Sequence, residues 1–314
     1  MPPKVAVITG PTATGKTALG VALATAMHGE IVGADSMQIY RHMDIGTAKP
    51  TPEEMHGIPH HMVDCVSPFD SYSVARYVQD ASACVDEILA RGKLPIVVGG
   101  TGLYIDSLLS GRDFAPEGAT DGLRTALRQE LDTRGALALW ADLAACDPQT
   151  AAKLHPNDHK RIIRALEVYR ATGMTKTQYD QATQTIPPRY DAAIIALTFK
   201  DRQDLYNRID LRVDQMIQQG LEQEVRGLLD LGLGPQHTAM QAIGYKEMAA
   251  ALAGNCTISQ AVADIKQASR HYAKRQLSYL ARNSSIHWIQ WEKSPDFAFG
   301  ILDSTNFLKA CGVI

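Results

Sequence analysis

The sequence predicts an α/β fold, a parallel sheet with crossover helices that is interrupted by a helical insertion. Short apolar runs ending in glycine or polar residues recur at residues 5–9, 31–34, 62–63, 95–98 and 192–198, with helical patterns between most of them. The first run leads into Gly10, Pro11, Thr12, Ala13, Thr14, Gly15, Lys16 and Thr17, a match to G-x-x-x-x-G-K-[ST] in the strand-loop-helix setting this phosphate loop requires. Strand-like runs vanish between about residues 111 and 188, where the pattern turns helical. These features give a P-loop NTPase-like core, residues 1–110 and 190–314, split by an insertion over 111–189. A chain of 314 residues is long enough to bury such a core.

The elements follow in order. The run at 5–9 is the first strand, and the helix after the phosphate loop starts near Lys16. The strand at 31–34 ends in Gly33-Ala34-Asp35-Ser36. Thr51-Pro52-Glu53-Glu54 marks a helix start, with proline in the first turn and glutamate three residues after the cap. Ser73 opens a long helix that closes at Arg91-Gly92. Four helices, 121–133, 136–145, 148–154 and 158–171, fill the insertion, which Pro187-Pro188 ends. After the strand at 192–198 come helices near 202–218, 222–231, 244–253 and 259–282, then a last apolar run at 286–291.

Composition narrows the function classes. Hydrophobic content of 45% and charged content of 21% are those of a soluble globular protein. A formal net charge of -3 requires any nucleic-acid surface to be a local patch. Five scattered cysteines without a C-x-x-C pair argue against a disulfide framework and a zinc site, and favour a reducing cytoplasm. No run approaches the roughly 18 apolar residues of a membrane span. Met1-Pro2-Pro3-Lys4 enters the first strand without a secretory apolar region. A cytoplasmic protein without a membrane partner is expected.

Chemistry concentrates at strand ends. Gly10 and Gly15 let the loop turn its N–H groups inward, the helix start adds its positive end, Lys16 reaches the outer phosphates, and Thr17 offers a hydroxyl to Mg²⁺. Carboxyl ends of parallel strands line the ligand crevice, which places Asp35 near this loop as a general base, a magnesium-binding acid, or merely a helix cap or ion pair. Gly99-Gly100-Thr101-Gly102 ends another strand, where Thr101 either donates a hydroxyl to a reacting oxygen or sits in an ordinary turn. No acidic residue ends the 95–98 run as a Walker B carboxylate would, which counts against an ATP hydrolase and leaves room for a diphosphate whose organic end is transferred. Two helices are locally basic: His159, Lys160, Arg161 and Arg164 on one, and Lys266, Arg270 and Lys274, with Arg275 and Arg282 beside them, on the other. Singly each is a solvated face; together they suggest contacts to a phosphate backbone. His56, His60 and His61 read as loop or core residues, since Gly57 and Pro59 break the helix that would align them on a metal.

Assembled, these residues resemble the bacterial tRNA dimethylallyltransferase (tRNA isopentenyltransferase) family over nearly the full length. The motifs that carry the likeness are the phosphate loop, Ala34-Asp-Ser-Met-Gln-Ile-Tyr40, Asp44-Ile-Gly-Thr-Ala-Lys-Pro50, Pro59-His-His-Met-Val-Asp64 and Gly99-Gly-Thr-Gly-Leu-Tyr104. Further along they are His155-Pro-Asn-Asp158, Arg164-Ala-Leu-Glu-Val-Tyr169, Arg208-Ile-Asp-Leu-Arg212, Ala242-Ile-Gly-Tyr-Lys-Glu247 and Ala273-Lys-Arg-Gln276. The resemblance implies transfer of a dimethylallyl group from dimethylallyl diphosphate to N6 of the adenosine 3′ of a tRNA anticodon, with Mg²⁺ as cofactor. It implies that residues 10–17 and Arg212 hold the diphosphate, that Asp35 takes the proton from the attacking amine, and that Thr101 lies near the reacting groups. Ser36 and Gln38 would help recognise the extruded adenine, and Asp35, Met37 and Thr101 would also contact the tRNA. Arg124, His159, Lys160, Arg161, Ile162, Ile163, Ala242, Ile243, Gly244, Tyr245, Lys246 and Glu247 would lie along the tRNA, with the insertion around the anticodon stem. A monomer is expected.

Departures from the family pattern are small. Thr14 replaces a common serine, Ser278-Tyr279 replaces a common Thr-Trp, and the chain ends without the zinc-finger extension of eukaryotic relatives. Three rivals remain: prenylation of free adenine nucleotides, which has little need of the insertion or basic helices; a nucleoside or small-molecule kinase; and a nucleotide-gated RNA-binding protein.

Overall fold

The structure, a computed structural model, describes residues 2–111, 121–184 and 186–314. Met1, and residues 112–120 and 185 of the expected insertion, lie outside the described residues.

The chain begins with β1 (Lys4–Thr9), α1 (Lys16–Ala26), β2 (Gly29–Gly33), α2 (Pro52–Met55), β3 (His60–His61), α3 (Val74–Ala90), β4 (Leu94–Val98) and α4 (Gly102–Leu109). Five helices follow: α5 (Asp121–Arg134), α6 (Ala136–Cys146), α7 (Pro148–Ala151), α8 (His159–Thr172) and α9 (Lys176–Gln184). The chain then forms β5 (Asp191–Phe199), α10 (Arg202–Gln219), α11 (Leu221–Asp230), α12 (Tyr245–Leu252), α13 (Ile258–Leu280), β6 (His287–Trp291) and α14 (Phe297–Ala310). Contacts divide it into two compact units, residues 1–109 with 189–314, and residues 110–188.

In the first unit six strands pair in parallel in the order β3-β2-β4-β1-β5-β6. Both faces are covered, so the central strands are continuously apolar: Val5, Ala6, Val7 and Ile8 are all inaccessible to solvent. Leu19 and Leu23 of α1, Ala273 of α13 and Leu308 of α14 belong to one core cluster with Ile8 and Ile96. The order β2-β4-β1 is what builds the site. It makes Ala34-Asp35, Gly99-Thr101 and the phosphate loop leave neighbouring strands at their carboxyl ends. Close approach there depends on two glycines. A Cβ on Gly10 would lie 2.4 Å from the Leu197 carbonyl oxygen, and one on Gly99 would lie 2.1 Å from that of Ala34.

One expected strand is displaced. The run at 62–63 is not extended; pairing with β2 falls instead on His60 and His61, because Met62 (φ 61°) and Asp64 (φ 56°) turn left-handed and take the chain off the sheet. The expected capping box is present, with Thr51 accepting from Glu54 N and Glu54 accepting from Thr51 N. Helices α4, α9 and α14 have no counterpart in the expected elements. In α9 the sequence Lys-Thr-Gln-Tyr-Asp-Gln-Ala-Thr-Gln offers little apolar stripe, and in α14 Gly300 interrupts the pattern, where a Cβ would meet the Trp291 ring at 2.6 Å.

The second unit is helical, with a core of Leu127, Leu139, Leu143, Ile162 and Leu166. The helix expected over 148–154 stops at Ala151, and Asp147 caps it by accepting from Thr150 N.

Candidate active site

The phosphate loop is a wound turn held from several sides. Gly10 (φ 135°), Ala13 (φ 66°) and Gly15 (φ 87°) have positive φ, and α1 begins at Lys16 with no side-chain cap and no acidic residue in its first turn. Its leading N–H groups and positive dipole end thus have no capping side chain and no acidic residue of the helix's own first turn against them, as suits an anion site. Lys16 curls back so that Nζ donates to the Pro11 carbonyl at 2.7 Å, while Thr14 Oγ1 donates to the same oxygen at 2.9 Å. Burial, and then the nearby Arg212 guanidinium, push the Lys16 ammonium down to about 8 against the opposing pull of Asp35.

Arg212 comes from α10. Burial lowers its pKa, with Asp35 and Glu54 opposing, and its Nε is buried without a hydrogen-bond partner among the described residues. A buried donor of that kind, beside a lysine and an uncapped helix start, has the chemistry of a diphosphate site. One turn earlier on α10, Arg208 Nε donates to the Ala13 carbonyl at 3.1 Å and supports the left-handed residue of the loop. Thr17 lines a cleft with Glu54 and His56. No group of three or more His, Cys, Asp or Glu among the described residues is arranged to hold a metal. Thr17, in the first turn of α1, is the residue that would hold a Mg²⁺ ion.

On the acceptor side the Asp35 carboxylate closes a turn with one oxygen, and no helix starts there for it to cap. Its Oδ1 accepts from Met37 N at 2.9 Å and Gln38 N at 3.4 Å, while Oδ2 accepts no hydrogen bond among the described residues. Thr101 Oγ1 accepts from Ser36 N at 3.1 Å, which ties the β4 loop to the β2 loop beside Asp35. Gln38 spends both amide hydrogens on the carbonyls of Thr47 (3.1 Å) and Ala48 (3.0 Å). The loop it grips is fixed in turn by Glu224, which accepts from the N–H groups of Asp44, Ile45 and Gly46 at 2.8, 2.8 and 3.0 Å and from Tyr245 Oη at 2.6 Å.

Sequence reasoning assigned no role to Tyr272, Gln276, Arg208, Glu224 or Trp291. Tyr272 lies beside Thr101, and burial and Asp35 push its phenol up to about 12. Its spacing of four from Gln276 was the available signal, since both project from one face of α13.

The expected nucleic-acid surface is partly corrected. Lys266 pairs with Asp214 at 2.7 Å and Arg270 with Asp210 at 2.5 Å, so two of the three stripe residues bind α13 to α10. Lys274, Arg275 and Arg282 remain exposed. In the helical unit His159, Lys160 and Arg161 are exposed, whereas Ile162 and Ile163 are core residues. Arg124 and Arg164 both lie against the buried Glu167, each at 3.0 Å. Ala242, Gly244 and Tyr245 are buried and Ile243 half-buried; Lys246 is exposed, and Glu247 accepts from Gly244 N at 2.8 Å. Contact from Ile162, Ile163, Ala242 or Tyr245 to RNA would have to run through backbone, because their side chains pack inward.

A family model described as IPP transferase matches residues 38–283, and one described as isopentenyl transferase matches residues 3–65. The chain is 48% identical over 291 residues to tRNA dimethylallyltransferase 2 of Geotalea uraniireducens (strain Rf4), covering 93% of each. It is 45% identical over 308 residues to a tRNA dimethylallyltransferase of Geobacillus kaustophilus (strain HTA426), covering 98% of this chain and 97% of that one. Among solved structures, the full-length tRNA isopentenylpyrophosphate transferase of Bacillus halodurans aligns with a TM-score of 0.74 at 40% identity, over 98% and 96% of the two chains. A eukaryotic dimethylallyltransferase acting on tRNA aligns with a TM-score of 0.84 at 29% identity, over 98% of this chain and 80% of that one.

Proposed function

The chain belongs to the IPP transferase family, and from that premise we propose how its site works. It transfers a dimethylallyl group to tRNA. The donor is dimethylallyl diphosphate and the acceptor is N6 of the adenosine 3′ of the anticodon. The observation that carries this reading is the grouping of Lys16, Arg212 and Asp35, two cations and one carboxylate within mutual electrostatic range, with Arg212 Nε buried and unpartnered among the described residues.

The residues divide the work. Loop N–H groups, Lys16 and Arg212 hold the diphosphate and stabilise the charge it gains as it departs. The N6 lone pair forms the new bond to C1 of the dimethylallyl group, the C1–O bond breaks, and its electron pair leaves on diphosphate. Asp35 takes the proton lost by N6, using the oxygen not committed to the Met37 and Gln38 turn. Thr101 and Ser36 shape the adenine side, where the base must leave its stack to bring N6 to the carboxylate. Thr17 would hold Mg²⁺, which when bound supplies further charge neutralisation at the diphosphate.

The helical unit at 110–188 grips the anticodon stem, with His159, Lys160, Arg161, Arg124 and Arg164 facing phosphates. We propose that the enzyme acts in the cytoplasm as a monomer. Among the described residues no helix is long and apolar enough to cross a membrane. Incubation with Mg²⁺, dimethylallyl diphosphate and an unmodified tRNA transcript, followed by mass analysis of the nucleosides, tests the reading. N6-isopentenyladenosine is expected, and a digest lacking it overturns the assignment.

A further inference from the structure

We infer that Gln276 is a positioning residue that sets the spacing between the diphosphate cradle and the acceptor loop, resting on the reading of these two loops given above. Gln276 projects from α13 and is 8% exposed. Its Oε1 accepts from Thr12 N in the phosphate loop at 3.3 Å, and its Nε2 donates to the Gly100 carbonyl at 2.8 Å. The two loops leave neighbouring strands that stay paired as far as the Gly99 N–H, which donates to the Ile8 carbonyl at 3.1 Å; beyond that bond both are rich in glycine, and the Gln276 amide joins them.

The contact continues to the proton acceptor. Thr101, next to Gly100, donates its N–H to the Ala34 carbonyl at 3.1 Å and accepts from Ser36 N through Oγ1. Asp35 lies between those two residues. A single amide therefore connects main chain at the diphosphate end to main chain that brackets the carboxylate. The fit is close: a Cβ on Gly100 would lie 2.4 Å from Gln276 Nε2. Only an amide supplies one acceptor and one donor in this shape. Glutamate would turn a second acceptor toward the Gly100 carbonyl, and methionine of similar length offers neither bond. Displacement of about 1 Å between reacting groups can cost on the order of 10²-fold in rate, so spacing is a function in its own right.

Hydrogen exchange with inorganic diphosphate and Mg²⁺ tests the inference without requiring turnover. In the wild-type protein diphosphate should slow exchange both in residues 10–17 and in the segments 34–38 and 99–101. In Q276M, protection at 10–17 should remain while protection of the other two segments falls at least threefold. Gly100→Ala, which pushes on the same amide from the other side, should do likewise and serves should Q276M fold poorly. Single-turnover transfer in Q276M and Q276E should drop at least tenfold, with donor and tRNA affinities changing less than threefold. Retained coupling in both Q276M and Gly100→Ala overturns the inference, as does a rate loss matched by an equal loss of donor affinity. Absence of transfer by the wild type would instead count against the assigned function, and the exchange result would still decide the role of Gln276.

Discussion

Trp291 donates its indole N–H to the carbonyl of Thr14 at 2.9 Å, from the last strand of the sheet to a loop 277 residues earlier. The same end of the chain places the Phe297 ring where a Gly15 Cβ would come within 2.9 Å of it. Arg208 and Gln276 hold Ala13 and Thr12. The phosphate loop is thus shaped by the C-terminal third of the chain as much as by its own glycines. Trp291→Phe removes the donor, keeps an aromatic ring and leaves a buried carbonyl unpaired. It should cost about 1–3 kcal/mol of stability by denaturant unfolding and weaken diphosphate binding several-fold by titration. Unchanged affinity would show that the loop holds its form alone.

Asp35→Asn should reduce single-turnover transfer by on the order of 10²-fold or more, the scale of lost general-base catalysis. Asparagine retains an oxygen for the Met37 and Gln38 N–H groups, so the turn and tRNA affinity should survive. Transfer at the wild-type rate would remove Asp35 from the chemistry.

The basic residues of α8 divide by partner. Arg161 is 75% exposed and shares only a surface pair with Asp158 at 3.2 Å, whereas Arg164 and Arg124 clasp the fully buried Glu167. Arg161→Ala should lower tRNA affinity and flatten its dependence on salt with a stability change within about 0.5 kcal/mol. Arg164→Ala should do both and also destabilise the helical unit, because it strips a partner from a buried carboxylate. Equal thermal midpoints for the two variants would contradict that division.

The elements whose physics is local were legible in the sequence. The phosphate loop, the Thr51 capping box and the apolar strands each declare themselves within ten residues, and parallel topology then brings Asp35 and Thr101 to the same edge. What escaped depends on partners remote in sequence. Lys266 and Arg270 look like free cations until Asp214 and Asp210, 52 and 60 residues away, are seen beside them. Gln276 and Trp291 bond main-chain atoms, which carry no side-chain signature at all. Met62 reads as strand by composition, yet it turns left-handed just before Asp64 and Cys65 donate their N–H groups to the carbonyls of Gln38 and Ile39, partners remote in sequence.

Glu30 provides a stability test. It is buried at the start of β2, with His61 Nε2 at 2.7 Å, Arg91 at 2.7 Å and Lys93 at 2.8 Å. Burial alone would raise its pKa; the hydrogen bonds from Lys93, His61 and Arg91 outweigh that and hold the carboxyl at about 2 against an ordinary value of 4.5. Because the folded value lies below the unfolded one, the stabilisation is complete above about pH 4.5 and is lost as pH falls toward 2. Unfolding free energy measured across that window should fall more steeply in the wild type than in Glu30→Gln. Parallel curves would assign the acid sensitivity to other groups.

Lys16 supplies the complementary test at high pH. Held at about 8 by burial and Arg212, its ammonium loses its proton in the free protein as pH rises past that value. A bound diphosphate favours the charged form and must raise that pKa, so binding takes up a proton above pH 8. Affinity for dimethylallyl diphosphate should therefore decline from about pH 8 upward, and calorimetry in buffers of different ionisation enthalpy should record the proton uptake. Lys16→Arg keeps a charge that does not titrate in this range. It should bind diphosphate with neither the proton uptake nor the decline, once the ionisation of the ligand itself, common to both proteins, is subtracted. Equal proton uptake by both would place the titrating group elsewhere in the site.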